Sequence, residues 1–197
     1  MSAIGLLSGS ADRAQRLSEL LKDAGADTMI ITDPAALPGE SGGDGLDFYI
    51  QLPVTIHPDG HTAVARVCSF LTAGLLARFS AVDRVLPVLA PGATVVLVSG
   101  NTPDEVSLPD DQRSRLALLH VLAHATRAEL ATRHVDVKVV SSQRSDQEIV
   151  HYALGDDGTH LHRNPQERAR NPQGQLSVST AYQDWRTEVM GLVAIDI

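Results

Sequence analysis

The spacing of apolar residues changes period several times along the first third of the chain. Short apolar runs that suit buried strands occur at 3–7, 28–32 and 46–54. Between the first two runs, residues 11–24 carry leucines at helical spacing with charges on the other side, and Gly25 follows as a helix-ending glycine. This order predicts a strand–helix–strand unit with a right-handed crossover.

The same alternation continues towards the C-terminus. Residues 62–89 have helical character, 93–99 form a β-branched run typical of buried parallel strands, and 110–134 predict a second long helix. An alternating run at 135–140 and an apolar run at 189–197 are the last predicted strands. The pattern therefore predicts an α/β fold, a Rossmann-type doubly wound parallel sheet of about seven strands.

Two stretches between these elements are rich in turn-forming residues. Residues 34–45 contain Pro, Gly and Ser and predict a loop. Residues 141–178 are polar and predict a loop-rich lid region, with a short helix or strand at 149–154. We find no repeat or domain boundary, so residues 1–197 are expected to form a single domain.

Composition and charge exclude several classes of function. The 197 residues are 43% hydrophobic and 20% charged, as in ordinary soluble globular proteins. Sixteen basic against 24 acidic residues give a net charge of −8, which argues against binding of nucleic-acid phosphates. No run approaches the ~18 apolar residues of a membrane span. Since no signal-peptide pattern opens the chain either, we expect a cytoplasmic protein with no membrane partner.

Two predicted helices are apolar around most of their circumference. They span residues 62–86 and 113–133. A helix that packs on one sheet needs only one apolar face. We therefore expect both helices to contact another subunit, in a dimer or tetramer; the alternative is that loops cover them.

Several segments, taken in order, resemble the short-chain dehydrogenase/reductase family. Residues 4–9 and 24–26 resemble the opening strand and turn and the end of the first helix, and 86–99 resemble the strand that bears the catalytic serine. Residues 127–140 resemble the long helix and its next strand, and 191–196 the terminal strand. The resemblance implies a dinucleotide-binding fold whose subunits pair through the two long helices.

The family's dinucleotide-binding turn is matched only at its beginning. Its glycines let the backbone approach a pyrophosphate at a helix N-terminus. Ser8 and Gly9 match the start of that motif, but no glycine follows before Gly25. Asp12 would lie near the phosphates, where an anion is unfavourable, although Arg13 could offset its charge.

Asp33 follows the second predicted strand, where the family places a carboxylate for the adenosine ribose. The alternative, which we favour, is a turn aspartate before Pro34. We therefore expect no cofactor, with NAD or NADP as the ligand only if the nucleotide crevice still functions.

The family's catalytic groups are largely replaced. Its reaction needs a tyrosine acid/base, a lysine four residues later and a serine that orients the carbonyl. Ser99 matches the serine, but Gln112 stands where the tyrosine belongs, with Asp111 beside it. Leu116 takes the place of the lysine, with Arg115 adjacent. Glutamine cannot deliver a proton as a phenol does, so these residues do not predict ordinary hydride transfer.

Other chemistry-bearing residues favour structural interpretations. His120 and His124 share one helix face at a spacing that suits metal ligands, but we interpret them as interface or core-edge residues. His160 and His162 fall in a predicted solvated loop. Cys68 lies on an apolar helix and is predicted to be an inert core thiol. No metal site is predicted.

Three functional hypotheses follow. The first is a non-catalytic subunit, a pseudoenzyme, that pairs through helices 62–86 and 113–133 with a homologous active reductase in a heteromeric oxidoreductase such as a ketoreductase complex. The second is an NAD(P)-dependent oxidoreductase with rearranged catalytic groups, namely Ser99, Asp111 and Arg115. The third is a homodimeric protein that binds a small ligand in the former nucleotide crevice.

Overall fold

Strands and helices alternate along the chain. A computed structural model describes residues 2–31, 45–54, 56–99 and 109–155. The elements are β1 (Ala3–Ser8), α1 (Ala11–Asp23), β2 (Ala26–Ile31), β3 (Leu46–Gln51), α2 (Ala63–Ser69), a π-helical segment (Phe70–Leu76), α3 (Ala77–Val85), a 3-10 turn (Leu86–Val88), β4 (Leu89–Ser99), α4 (Pro109–Leu130), a second 3-10 turn (Ala131–Arg133), β5 (Asp136–Ser141) and α5 (Asp146–Leu154).

The described strands form one parallel sheet in the order β2-β1-β3-β4-β5. From β1 the chain adds β2 on one side and β3, β4 and β5 on the other, so the winding direction reverses between β1 and β3. The predicted doubly wound α/β fold is confirmed. Five strands are described where about seven were predicted, and the terminal strand expected at 189–197 lies outside the described residues.

Helices cover both faces of the sheet because strand side chains alternate between two apolar clusters. One cluster joins the sheet to α1 and α5, and the other joins it to α3 and α4. The first cluster includes Leu7, Leu17, Leu21, Phe48, Ile50, Val96 and Ile149, and the second includes Leu6, Tyr49, Val82, Val85, Val95, Leu97, Leu119 and Leu122. Leu97 and its neighbours in β4 are buried on both faces, as expected for a central parallel strand.

The helix predicted over 62–86 is divided in the structure. Its first part, α2, begins at the cap Thr62, whose side chain accepts a hydrogen bond from the Ala65 N–H at 3.1 Å, and buries no residue. Its last part, α3, packs against the sheet, where Ala81, Val82 and Val85 are buried. None of the described helices is long and apolar enough to cross a bilayer.

Helix α5 lies where a short helix or strand was predicted at 149–154, inside the segment expected to form a loop-rich lid. The Ser145 hydroxyl accepts from the Glu148 N–H, while the Glu148 carboxylate accepts from the Ser145 N–H at 2.9 Å, so a capping box starts the helix. These backbone and side-chain hydrogen bonds from Ser145 lower the pKa of Glu148. Ile149 and Leu154 are buried against the sheet. Residues 146–154 are therefore a core helix, and residues 156–178 lie outside the described part.

Candidate functional site

The carboxyl ends of β1, β3 and β4 meet at one edge of the sheet. These ends are Ser8, Gln51 and Ser99. In doubly wound folds, ligands bind at this edge where the winding direction reverses, here between β1 and β3. This edge is the candidate site, and two of the residues predicted to bind a cofactor, Ser8 and Gly9, lie on it.

The turn between β1 and α1 is closed against the segment that follows β3. Gly9 has a φ of +110°, and a β-carbon on residue 9 would lie 2.4 Å from the Leu52 carbonyl oxygen. The Leu52 N–H donates to the Ser8 carbonyl at 2.8 Å, and the Ser10 N–H donates to the Pro53 carbonyl at 3.2 Å. The space that the absent side chain of Gly9 leaves is therefore occupied by the protein's own backbone.

The Ser8 side chain points into the α3 side of the sheet. Its hydroxyl lies 2.7 Å from the Tyr49 hydroxyl, and Gln51 Nε2 donates to the same phenol at 3.1 Å. Tyr49 is fully buried, and desolvation by that burial raises its pKa. At neutral pH the phenol is therefore protonated and serves as a hydrogen-bonding group of the core.

A buried arginine joins the ends of β3 and β4. The Arg78 guanidinium, on α3, donates to the Val98 carbonyl at 3.1 Å and to the Leu52 carbonyl at 3.4 Å. The Arg78 backbone carbonyl in turn accepts from Gln51 Nε2 at 3.0 Å. A cation therefore lies beneath the candidate site and donates to backbone carbonyls at the ends of β3 and β4.

Arg13, expected to be able to offset the charge of Asp12, is bound to the connection between β5 and α5. Its Nε donates to Asp146 Oδ1 at 2.8 Å, and its two terminal nitrogens donate to the Ser142 and Arg144 carbonyls at 2.9 and 2.8 Å. The expectation that Arg13 offsets the charge of Asp12 is wrong, because all three guanidinium nitrogens are engaged by the β5–α5 connection.

The predicted catalytic residues lie on two different elements. Ser99 is half-buried at the end of β4, opposite Ser141 in the register with β5. Asp111 and Arg115 lie in the first two turns of α4, and their side chains are outside the described part. Asp33, predicted as a ribose ligand, also lies outside the described residues.

His120 and His124 lie on α4 and Cys68 lies on α2, whereas His160 and His162 lie outside the described residues. His120 and His124 are half-buried on α4, and within the described ranges no group of three or more His, Cys, Asp or Glu side chains could hold a metal ion. Cys68 is exposed, so the prediction of a core thiol is wrong. The physical reason is that α2 buries none of its residues, so its apolar positions face outward.

A second candidate surface is the outer side of α2 and the π-helical segment. Val64, Val67, Cys68 and Leu71 follow the spacing i, i+3, i+4 and i+7, which places them on one helical face. Val64 and Val67 are 73% and 58% exposed, and Leu71 and Leu76 are 39% and 53% exposed. We call the apolar stripe the following five residues: Val64, Val67, Cys68, Leu71 and Leu76.

No protein-family model matches the sequence, and no curated protein is significantly similar to it. Among solved structures, the chain is similar to the crystal structure of AibC, with 16% sequence identity and a TM-score of 0.29. The match covers 97% of this chain and 48% of that one, so the chain spans about half the length of that structure. A likeness this weak carries no argument, and the resemblance to short-chain dehydrogenases/reductases stays a prediction.

Sequence reasoning missed the buried polar residues Tyr49, Gln51 and Arg78. The first two belong to a run that was interpreted only as apolar, and the third interrupts an apolar helix. Such an interruption is itself a usable signal, because Gln and Arg are rarely buried without hydrogen-bond partners. Tyr49 and Gln51 also alternate with Phe48 and Ile50 along β3, and this alternation indicates which face of the strand carries the polar groups.

Proposed function

We propose that this chain is a non-catalytic subunit that pairs with an active short-chain reductase in a heteromeric oxidoreductase. The observation that carries this proposal is the apolar stripe. Three of its members are exposed on α2, which buries none of its residues, and the other two are exposed in the π-helical segment that follows, whereas α3 packs against the sheet. Burial of apolar surface is favourable by about 25 cal/mol per Å², and exposed apolar patches mark interaction sites.

The closed turn after β1 supports the non-catalytic part of the proposal. In dinucleotide-binding folds, the backbone around this turn approaches the pyrophosphate. Here the Leu52 carbonyl fills the space beside Gly9, and the Ser10 N–H is bonded to the Pro53 carbonyl. A phosphate that used the Ser10 N–H would first have to displace the Pro53 carbonyl.

The proposal is tested by co-expression with an active short-chain reductase encoded beside this chain. We expect the two chains to co-purify, and Val64→Glu with Val67→Glu to abolish co-elution, because two carboxylates would be desolvated in the interface. Met29→Glu is the matched control, since Met29 is also an exposed apolar residue, 44% exposed, but lies on β2. The proposal fails if the wild-type chains elute separately and the reductase has the same activity with and without this chain.

A second candidate function is an NAD(P)-dependent oxidoreductase with rearranged groups. The observation that favours it is Ser99, which ends β4 at the same sheet edge as Ser8 and Gly9. Titration calorimetry with NADH and NADPH separates the two candidates. Micromolar binding favours the enzyme, whereas no heat up to millimolar nucleotide favours the non-catalytic subunit.

A further inference from the structure

A hydrogen-bond network is buried beneath the β1–α1 turn, on the α3 side of the sheet. Tyr49, Gln51 and Ser8 are 0%, 2% and 5% exposed, and Arg78 closes the network from α3. The Tyr49 and Ser8 hydroxyl oxygens lie 2.7 Å apart, and Gln51 Nε2 lies 3.1 Å from the phenol oxygen. The donors and acceptors of the two hydroxyl groups and of the Gln51 carboxamide can be counted, because each of these groups is buried.

The orientation of the Gln51 carboxamide is determined by its neighbours. Its Nε2 lies 3.0 Å from the Arg78 carbonyl, which can only accept, so the nitrogen and not the oxygen occupies that position. The second hydrogen on Nε2 is donated to Tyr49. Gln51 Oε1 therefore faces another direction, and it is buried without a hydrogen-bond donor in the described part of the chain.

One hydroxyl proton of the Tyr49–Ser8 pair is not used in a hydrogen bond. Tyr49 and Ser8 carry two hydroxyl protons, and the hydrogen bond between them uses one of these. Whichever group donates, no hydrogen bond within the described part of the chain uses the other proton, because the remaining neighbour of the phenol, Gln51 Nε2, is itself a donor. A buried polar group without a partner is unfavourable, so native proteins rarely leave one unsatisfied.

The unused acceptor belongs to the same carboxamide whose nitrogen lies 3.1 Å from the Tyr49 phenol oxygen. Ser8 and Gln51 are register partners in the β1–β3 pair, and neighbouring strands are about 4.8 Å apart. Two hydrogen bonds through one shared oxygen span about 5.5 Å. A single molecule that accepts one hydrogen bond and donates another therefore fits between the two positions.

We propose that one internal water molecule occupies this position. It accepts the remaining hydroxyl proton of the Tyr49–Ser8 pair and donates to Gln51 Oε1. Water has this combination of donor and acceptor and is small enough for a site whose surrounding atoms are shielded from solvent. The hydrated network then connects β1, β3 and α3 directly beneath the switch point. This inference is independent of the proposed pairing function, since it involves no residue of the apolar stripe.

A crystal structure that resolves ordered water tests the site directly. We expect a solvent peak within hydrogen-bonding distance, about 2.7–3.2 Å, of both Gln51 Oε1 and one of the two hydroxyl oxygens. An empty position, or a protein donor bonded to Gln51 Oε1, would overturn the proposal.

NMR provides a second readout in solution. We expect a nuclear Overhauser cross-peak between water and the Gln51 side-chain amide. The sign of this cross-peak should be the one that a long-lived bound water gives. The matched control is Gln15, an exposed glutamine on α1, whose amide should show only the signature of surface water. Gln51→Leu should remove the long-lived water signal at the Tyr49 ring. If that variant does not fold, the wild-type comparison of Gln51 with Gln15 still decides, and equal signals at both amides contradict the proposal.

Discussion

Gly9, directly after β1, has a backbone conformation, φ +110°, that residues with side chains rarely adopt. Two constraints act at this position, because the Leu52 carbonyl oxygen would also lie 2.4 Å from a β-carbon. Gly25 shares only the first constraint: its φ is +83°, and nothing lies within 4 Å of the place where a β-carbon would be. The two glycines therefore separate backbone strain from steric exclusion.

Gly9→Ala is expected to lower the free energy of unfolding by at least about 2 kcal/mol, since strain and a backbone clash act together. Gly25→Ala should lower the free energy of unfolding by about 1 kcal/mol, because only backbone strain acts there. Urea unfolding of both variants measures the difference. If the two variants lose the same free energy of unfolding, the turn after β1 can move away from Leu52 at no cost in stability.

At the scale of elements, one guanidinium connects α1 to the β5–α5 connection. Arg13 binds the Asp146 carboxylate at 2.8 Å and two backbone carbonyls, with its side chain 16% exposed. Arg16 also reaches Asp146, at 3.2 Å, but its side chain is 60% exposed. A shielded arginine with three hydrogen-bonded groups should contribute more than an exposed ion pair.

Arg13→Met should therefore destabilise the protein by about 1–3 kcal/mol, because the Asp146 carboxylate and two carbonyls lose a donor. Arg16→Met, which removes an exposed partner of the same carboxylate, should cost less than about 1 kcal/mol. Chemical denaturation of both single variants and of the double variant measures these effects. The interpretation is wrong if Arg16→Met costs as much as Arg13→Met.

Local sequence predicted most elements well because their signals are local. The leucines of α1 and the glycine after it located that helix to within a residue, and the β-branched run at 93–99 located most of β4. The division of the helix over 62–86 was not predictable in the same way. Periodicity shows that a helix forms, but whether α2 or α3 covers the sheet depends on how far the sheet extends.

At the scale of the whole molecule, Tyr49 limits stability at alkaline pH. Burial raises its pKa in the folded state, while the unfolded chain titrates near the ordinary value of about 10. The stability linked to this phenol is fully present below pH 10 and is lost as the pH rises through that value towards the raised folded pKa. The net charge of −8 adds self-repulsion that also grows with pH.

Tyr49→Phe should reduce stability at neutral pH by about 1–2 kcal/mol, since Ser8 and Gln51 lose a buried partner. Above pH 10 the stability of the variant should fall less steeply with pH than that of the wild type, because the titrating phenol is gone. Unfolding free energies at several pH values between 8 and 11 test this. If the unfolding free energy depends on pH in the same way in the variant and the wild type, the buried Tyr49 phenol does not cause the alkaline loss of stability.

The sequence by itself determined the order of strands and helices and the α/β class, because hydrophobic period, turn residues and helix-ending signals act between near neighbours. It also predicted that the helix over 62–86 carries more apolar surface than packing on one sheet requires. Only the tertiary structure decided that Gly9 lies against Leu52, that Arg13 turns to Asp146, and that Tyr49, Gln51 and Arg78 share one buried network. Each of these contacts joins residues far apart along the chain, and no local pattern encodes which distant groups a folded sheet brings together.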